Sequence, residues 1–164
     1  MDVKFLDTAF RDGSQSLWAM GMRHGQIEAV AADMDRCGFE VIEVPGNAIH
    51  FKKMIRDLKE NPWDTMRMLA EKIPNTPKAC MGGGLNLNAF GSPTPPALGE
   101  LFWTHQVEIG ALNRVQLTGN TADQMKRVFP ALIPFLKGIG LHCALAISYS
   151  ISPRHTDELF AEQT

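Results

Sequence analysis

Strand-like segments beginning near residues 3, 39, 77, 113 and 141, each followed by helical periodicity, predict an α/β chain built on a parallel sheet. Parallel neighbours need a long crossover, and the intervening helices supply it. A second observation is an asymmetry. Polar and glycine-rich residues follow each strand rather than precede it: D-T-A-F-R-D-G, P-G-N, G-G-G, T-G-N and S-Y-S in chain order. Such an edge is where a (β/α) barrel or a doubly wound sheet builds its pocket. The third observation is length. A closed eight-fold barrel takes about 250 residues and rarely fewer than ~200, whereas this chain has 164 and five strand–helix units. The prediction is therefore α/β of the (β/α) TIM-barrel type, with the amino-terminal five of eight units present and residues 1–164 forming one partial barrel domain.

Taken in order, Val3, Phe5 and Leu6 read as a buried first strand, and Ile27, Val30, Ala31 and Met34 as the apolar stripe of the next helix, which Gly38 ends. The second strand reads 39–44. Ile49, Met54, Ile55 and Leu58 follow with helical spacing. Asn61-Pro62 is a cap residue with proline at the first helical position, opening a helix striped by Trp63, Met66, Leu69, Ala70 and Ile73. The third strand reads 77–81 and runs into a loop rich in Gly, Asn and Pro. A helix through Leu98, Leu101, Phe102 and Ile109 leads to a fourth strand around 114–117. The helix 121–136 contains Pro130 and Pro134 and is expected to kink or split. The fifth strand reads 141–147, and Ser152-Pro153 opens a last helix.

Composition narrows the function classes. The chain is 45% hydrophobic and 21% charged, with formal net charge −2, which supports a real core and offers no basic stripe for nucleic acid and no polybasic segment for an acidic membrane surface. Cys37, Cys80 and Cys143 are odd in number and far apart, so neither a disulfide framework nor a zinc knuckle is expected. No signal peptide or membrane helix is visible, and a cytoplasmic location fits.

The chemistry is concentrated in Asp7-Thr8-Ala9-Phe10-Arg11-Asp12-Gly13-Ser14-Gln15-Ser16. Two carboxylates and a guanidinium leaving an apolar strand must be paired or must hold a metal if they are buried. An exposed turn with a local Arg–Asp ion pair is the plain alternative. Gly82-Gly83-Gly84 reads as a permissive loop, and Trp18, Met20 and Met22 as core or interface.

D-T-x-x-R-D-G-x-Q-S at Asp7–Ser16 resembles the opening of the carboxyltransferase domains of pyruvate carboxylase, oxaloacetate decarboxylase α-subunits and transcarboxylase. These sit among the metal-dependent barrels similar to hydroxymethylglutaryl-CoA lyase. Asn61-Pro62-Trp63-Asp64, Ile73–Pro77, Gly84 with Asn86, and Ser148-Tyr149-Ser150 through His155-Thr156 resemble further segments of the same family, so the likeness runs along the whole chain.

The resemblance implies that Asp12 ligates a divalent cation (Zn, Mn, Co or Mg), that Arg11 stabilises a developing enolate oxygen, and that Gln15 contacts substrate. Asn120 matches the family's asparagine and is expected either to contact substrate or to cap the next helix, and Tyr149 either to line the substrate pocket or to hydrogen-bond at its strand end. The likeness of Ile42-Glu43-Val44 to the lyase and synthase branches adds Glu43, which as a plain strand-end residue would only hydrogen-bond locally. The implied activity makes or breaks a C–C bond beside a carbonyl, through the enolate of a 2-oxo acid such as pyruvate or oxaloacetate, or of an acyl thioester. Several positions depart from the carboxyltransferase pattern. Gly83, Phe51, Phe90 and Leu117 stand where the family has an arginine, an aspartate, a tyrosine and an aspartate, which argues against biotin-linked transfer. The family's remaining ligands, a His-x-His pair and a modified lysine, lie beyond the fifth strand, and no His-x-His occurs here. Little turnover is therefore expected from residues 1–164 alone. Among the histidines, His142 is expected to be packed in the core and His24, His50, His105 and His155 solvated. The alternative is a catalytically inactive half-barrel serving as a structural or interaction subunit. Open strand edges point to a homo-oligomer or to pairing with a missing carboxyl-terminal half.

Overall fold

The computed structural model describes residues 2–82, 96–119 and 122–147. Five strands, β1 (Leu6–Asp7), β2 (Val41–Glu43), β3 (Lys78–Gly82), β4 (Arg114–Gly119) and β5 (His142–Ile147), form one sheet in the order β1-β2-β3-β4-β5. Every neighbouring pair is parallel, with Asp7 opposite Ile42, Glu43 opposite Ala79, Ala79 opposite Arg114, and Arg114 opposite His142. Spatial order follows chain order without reversal. A doubly wound sheet switches direction in its middle, so this is the wall of a barrel.

The helices are α1 (Ser14–Trp18), α2 (His24–Asp35), α3 (Ala48–Lys53), α4 (Pro62–Lys72), α5 (Pro96–Glu108) and α6 (Ala122–Gly138). One wide π-helical turn (Ala9–Gly13) precedes α1 and another (Met54–Leu58) continues α3. Asn61 caps α4 as its sequence predicts, its side chain accepting the Trp63 N–H at 3.1 Å. All three residues of β2 are buried, the mark of a strand covered on both faces. Ile42, Val44, Met66, Leu69, Ile73, Cys80, Val115 and Leu117 form the centre of the core.

Three expectations are corrected. Val3 and Phe5 lie before β1 rather than in a buried strand, and they are 73% and 68% exposed. Among the described residues β1 has a neighbour on one side only, so nothing there covers the apolar run. The face of α5 is also rotated from the predicted stripe. Leu98 and Leu101 are exposed, while Gly99, Trp103 and Gln106 turn inward. Finally, α6 runs unbroken through Pro130 and Pro134. Both prolines are exposed, so the hydrogen bonds they forfeit fall on the solvent side, whereas Phe129, Leu132 and Leu136 hold the buried face. The predicted helix at Ser152-Pro153 lies outside the described residues.

The amino edge of the sheet is tied by side chains. The Asp35 carboxylate, at the end of α2, accepts the Thr76 N–H at 2.7 Å and the Asn75 side-chain amide at 2.8 Å, while the Thr76 hydroxyl donates to the Asp35 carbonyl at 3.1 Å. Burial raises the Asp35 carboxyl, but these bonds outweigh it and hold the group below its ordinary range. Lys78, buried at the start of β3, donates to the Ile73 carbonyl at the end of α4 over 2.6 Å, favourable at a helix carboxyl terminus. Replacing Asp35 by Ala is expected to lower unfolding free energy by about 1–3 kcal/mol, read as a denaturant midpoint. An unchanged midpoint would remove this tie from the account.

Candidate active site

The site begins with the turn after β1. Asp7 Oδ1 accepts the Ala9 N–H at 3.0 Å, and the Thr8 carbonyl then collects the N–H groups of Arg11, Asp12 and Gly13 at 3.2, 2.8 and 3.1 Å. Three donors converging on one oxygen fold the chain back across the carboxyl edge. Phe10 and Arg11 are carried inward while Asp12 stays on the rim, its side chain half-exposed.

Arg11 Nη2 lies 2.7 Å from Glu43 Oε2, and Nη1 donates to Asp12 Oδ1 at 3.0 Å. Glu43 is the last residue of β2 and only 1% exposed. Burial pushes its carboxyl above the ordinary value, and the guanidinium pulls it back only in part. Arg11 Nε and both Glu43 carboxylate oxygens are buried with no hydrogen-bond partner among the described residues, and the 2.7 Å contact is an ion pair. The nearby Cys80 thiol is fully buried and burial raises it far above its ordinary value, so it is no nucleophile.

His50 completes the cluster. It is buried, with Nδ1 2.9 Å from Asn47 Oδ1 and Nε2 3.3 Å from the Arg11 carbonyl. Asn47 caps α3, its side chain also accepting the His50 N–H at 3.0 Å. Burial first, and the Arg11 charge in addition, lower the imidazole to about 4. The ring is therefore neutral at pH 7.

Behind the strand tips, α5 comes so close that two glycines are required. A Cβ on Gly46 would stand 2.6 Å from Gln106 Oε1, and one on Gly82 would stand 2.8 Å from the Trp103 ring.

Of the residues predicted from sequence, Arg11, Asp12 and Glu43 are brought together. Gln15 is exposed on α1 and makes no described contact with the cluster. Asn120 and Tyr149 lie outside the described residues, as do Gly83 and Phe90. The histidine expectation is reversed: His142 is exposed at the first position of β5, and His50 is the buried one. Its signal is the Asn47-x-x-His50 spacing, a polar residue three after a helix cap. Phe51 packs edge-on against Trp63 and Phe102, with ring centres 4.9 and 5.2 Å apart, and Leu117 is fully buried.

The described residues supply at most part of a divalent-cation site. They place no group of three or more His, Cys, Asp or Glu side chains for a metal, and Asp12 offers one carboxylate whose Oδ1 is already bonded to Arg11. No helix among them is long and apolar enough to cross a membrane.

Fold and site define the class: an α/β chain of the TIM-barrel type with a charged cluster on the carboxyl edge of its first two strands. No family model matches the chain. A pyruvate carboxylase subunit of Methanocaldococcus jannaschii is 36% identical over 161 residues, which are 98% of this chain and 27% of that protein. The 2-oxoglutarate carboxylase large subunit of Hydrogenobacter thermophilus is 30% identical over 98% of this chain and 24% of its own length. The carboxyl transferase domain of Rhizobium etli pyruvate carboxylase superposes with a TM-score of 0.74 at 26% identity, over 90% of this chain and 24% of that one. The chain is a divergent relative of the carboxyltransferase domain of pyruvate carboxylase, and it spans about a quarter of the length of the curated relatives it matches.

The His50 environment fixes a pH dependence. The unfolded chain takes up a proton near pH 6.5 that the folded chain refuses until about 4. Stability from this group is complete above pH 6.5 and is lost as pH falls toward 4, by roughly 3 kcal/mol in all. Unfolding free energies measured across that window are expected to fall more steeply for the wild type than for His50→Gln; parallel profiles would contradict the neutral ring.

Proposed function

We propose that residues 1–164 are part of a carboxyltransferase-type barrel acting on a 2-oxo acid, in which Arg11 binds the substrate oxygen that becomes negative as the enolate forms. The observation that carries this is the placement of Arg11. Its guanidinium is buried at the carboxyl edge, fixed in position by Glu43 and Asp12, with Nε still unpaired. A preorganised cation in a water-poor site is worth more to developing charge than the same cation in water. Pyruvate and 2-oxoglutarate stand in the names of the relatives, and both carry the 2-oxo carboxylate that this edge suits. Asp12, half-exposed at the rim and bonded to Arg11 through Oδ1, helps to hold the guanidinium where a ligand would meet it. No step is assigned to a metal or to biotin.

A second reading has its own support. Phe51 and Leu117, where the family pattern has aspartates, are absorbed into an aromatic cluster and the core. Those positions serve packing, which suits a half-barrel that retains binding and works as a subunit. In either reading the side of β1 that has no neighbour among the described residues, with Val3 and Phe5 beside it, is the place for further strands or for a second copy.

Saturation-transfer NMR with pyruvate tests the main reading. Signal is expected for the wild-type chain, with affinity reduced about tenfold or more in Arg11→Gln, the loss of a charged hydrogen bond. No transfer to pyruvate, or equal transfer in both proteins, would contradict it.

A further inference from the structure

Where the wide turn Met54–Leu58 passes into α4, the surface opens into a cleft of about 440 Å³ that shares no residue with the Arg11–Glu43 pair. Phe51, Ile55, Pro62 and Trp63 supply its apolar walls, and Lys59 and Glu60 stand among its polar lining. Few polar groups on a largely apolar wall of this size are what small-molecule sites share. Ile55 is 59% exposed, and the Phe51 and Trp63 rings behind it are locked edge to face. The segment that builds the wall is also basic. Residues 52–60 carry Lys52, Lys53, Arg56 and Lys59 against Asp57 and Glu60, in a chain whose net charge is −2. Both acids are already engaged. Asp57 lies 2.9 Å from Lys53 and 2.6 Å from Arg56, while Glu60 accepts the His24 N–H at 3.0 Å and lies 3.4 Å from Arg23. Lys59 makes no ion pair among the described residues, so it sets the sign of the charge on offer in the cleft. Its backbone is left-handed, with φ 58° and ψ 37°. Glycine or asparagine takes that conformation more easily, and side chains held there against preference gather at ligand clamps.

We propose that this cleft is a second ligand site and that it binds a small organic acid with a flat apolar body, the carboxylate on Lys59 and the body against Ile55, Phe51 and Trp63. The body removes apolar surface from water on both sides of the contact, which supplies the affinity. The carboxylate supplies the selectivity, because an amine of the same shape would meet Lys59 as a like charge and an alcohol would forgo the ion pair. The site is independent of the reading given to Arg11. Pyruvate has no apolar body to lay on these walls, so a 2-oxo acid at the carboxyl edge and an apolar acid in this cleft are different ligands.

Phenylacetate and its uncharged analogue phenethyl alcohol test this, in ligand-observed NMR titrations of the 164-residue chain at neutral pH. At low salt the acid is expected to bind about threefold to fivefold more tightly, the share of an ion pair at an exposed lysine. That margin is expected to shrink as salt is raised. Lys59→Met is expected to abolish the margin and to leave the affinity for the alcohol within about twofold. Ile55→Gln, a change at an exposed position, is expected to weaken both ligands by about threefold. Excess pyruvate is expected to displace neither. Equal binding of acid and alcohol, a margin that survives in Lys59→Met, affinities that Ile55→Gln leaves unmoved, displacement by pyruvate, or no binding of either ligand would each overturn the proposal. The comparison of acid with alcohol and its salt dependence use the wild type alone, so misfolding of a variant does not spare the idea.

Discussion

A buried ion pair between Arg11 and Glu43 joins the first two strands at their carboxyl edge, and much of the local structure exists to make it tolerable. Removing two charges from water costs several kcal/mol per ion, and their attraction repays this only with good geometry. The Thr8 carbonyl gathers three N–H groups so that the chain can turn Arg11 inward. Neutral His50 wedges between the Asn47 cap and the Arg11 carbonyl, adding no third charge. Even so, Arg11 Nε and both Glu43 oxygens are left without a hydrogen bond among the described residues.

The two edges of the sheet divide the work. On the amino edge every described polar side chain near the β3 entry is bonded: Asp35 to Asn75 and Thr76, Lys78 to Ile73, and Asn113 to the Lys78 N–H at 3.0 Å. Those bonds close the frame. On the carboxyl edge, buried donors and acceptors stay open, as befits the face where barrels place their chemistry. Phe51 and Leu117 stand apart from this pattern: they fill space, Phe51 in an aromatic cluster and Leu117 in the core. Among the described residues, the buried charges of this edge, Arg11 and Glu43, sit at the tips of β1 and β2.

The parallel sheet and its direction were legible because strand signals and their polar tips are local. Asn61-Pro62 announced the start of α4, and Arg11, Asp12 and Glu43 could be named from the residues at the ends of two strands. What was not legible depends on what covers a residue. Val3 and Phe5 have strand-like composition, but the edge beside them has no described neighbour. In α5 apolar residues occur all round the helix, so the stripe through Leu98 and Leu101 was as plausible as the true face through Trp103 and Gln106, which the glycines at 46 and 82 admit. His50 and His142 exchanged their expected places for the same reason. A strand interior suggests burial and a short helix suggests exposure, yet His142 is the exposed first residue of β5 and His50 faces the Arg11 turn.

A double-mutant cycle on the unfolding free energy, using Arg11→Met and Glu43→Leu, tests most directly whether the coupled buried pair governs this edge. Each single change strands a charge in the interior and is predicted to cost about 3–5 kcal/mol, whereas the double variant, with both charges gone, is predicted to recover most of that loss. Costs that simply add would mean that the two side chains do not depend on one another, and the account of the carboxyl edge would fail.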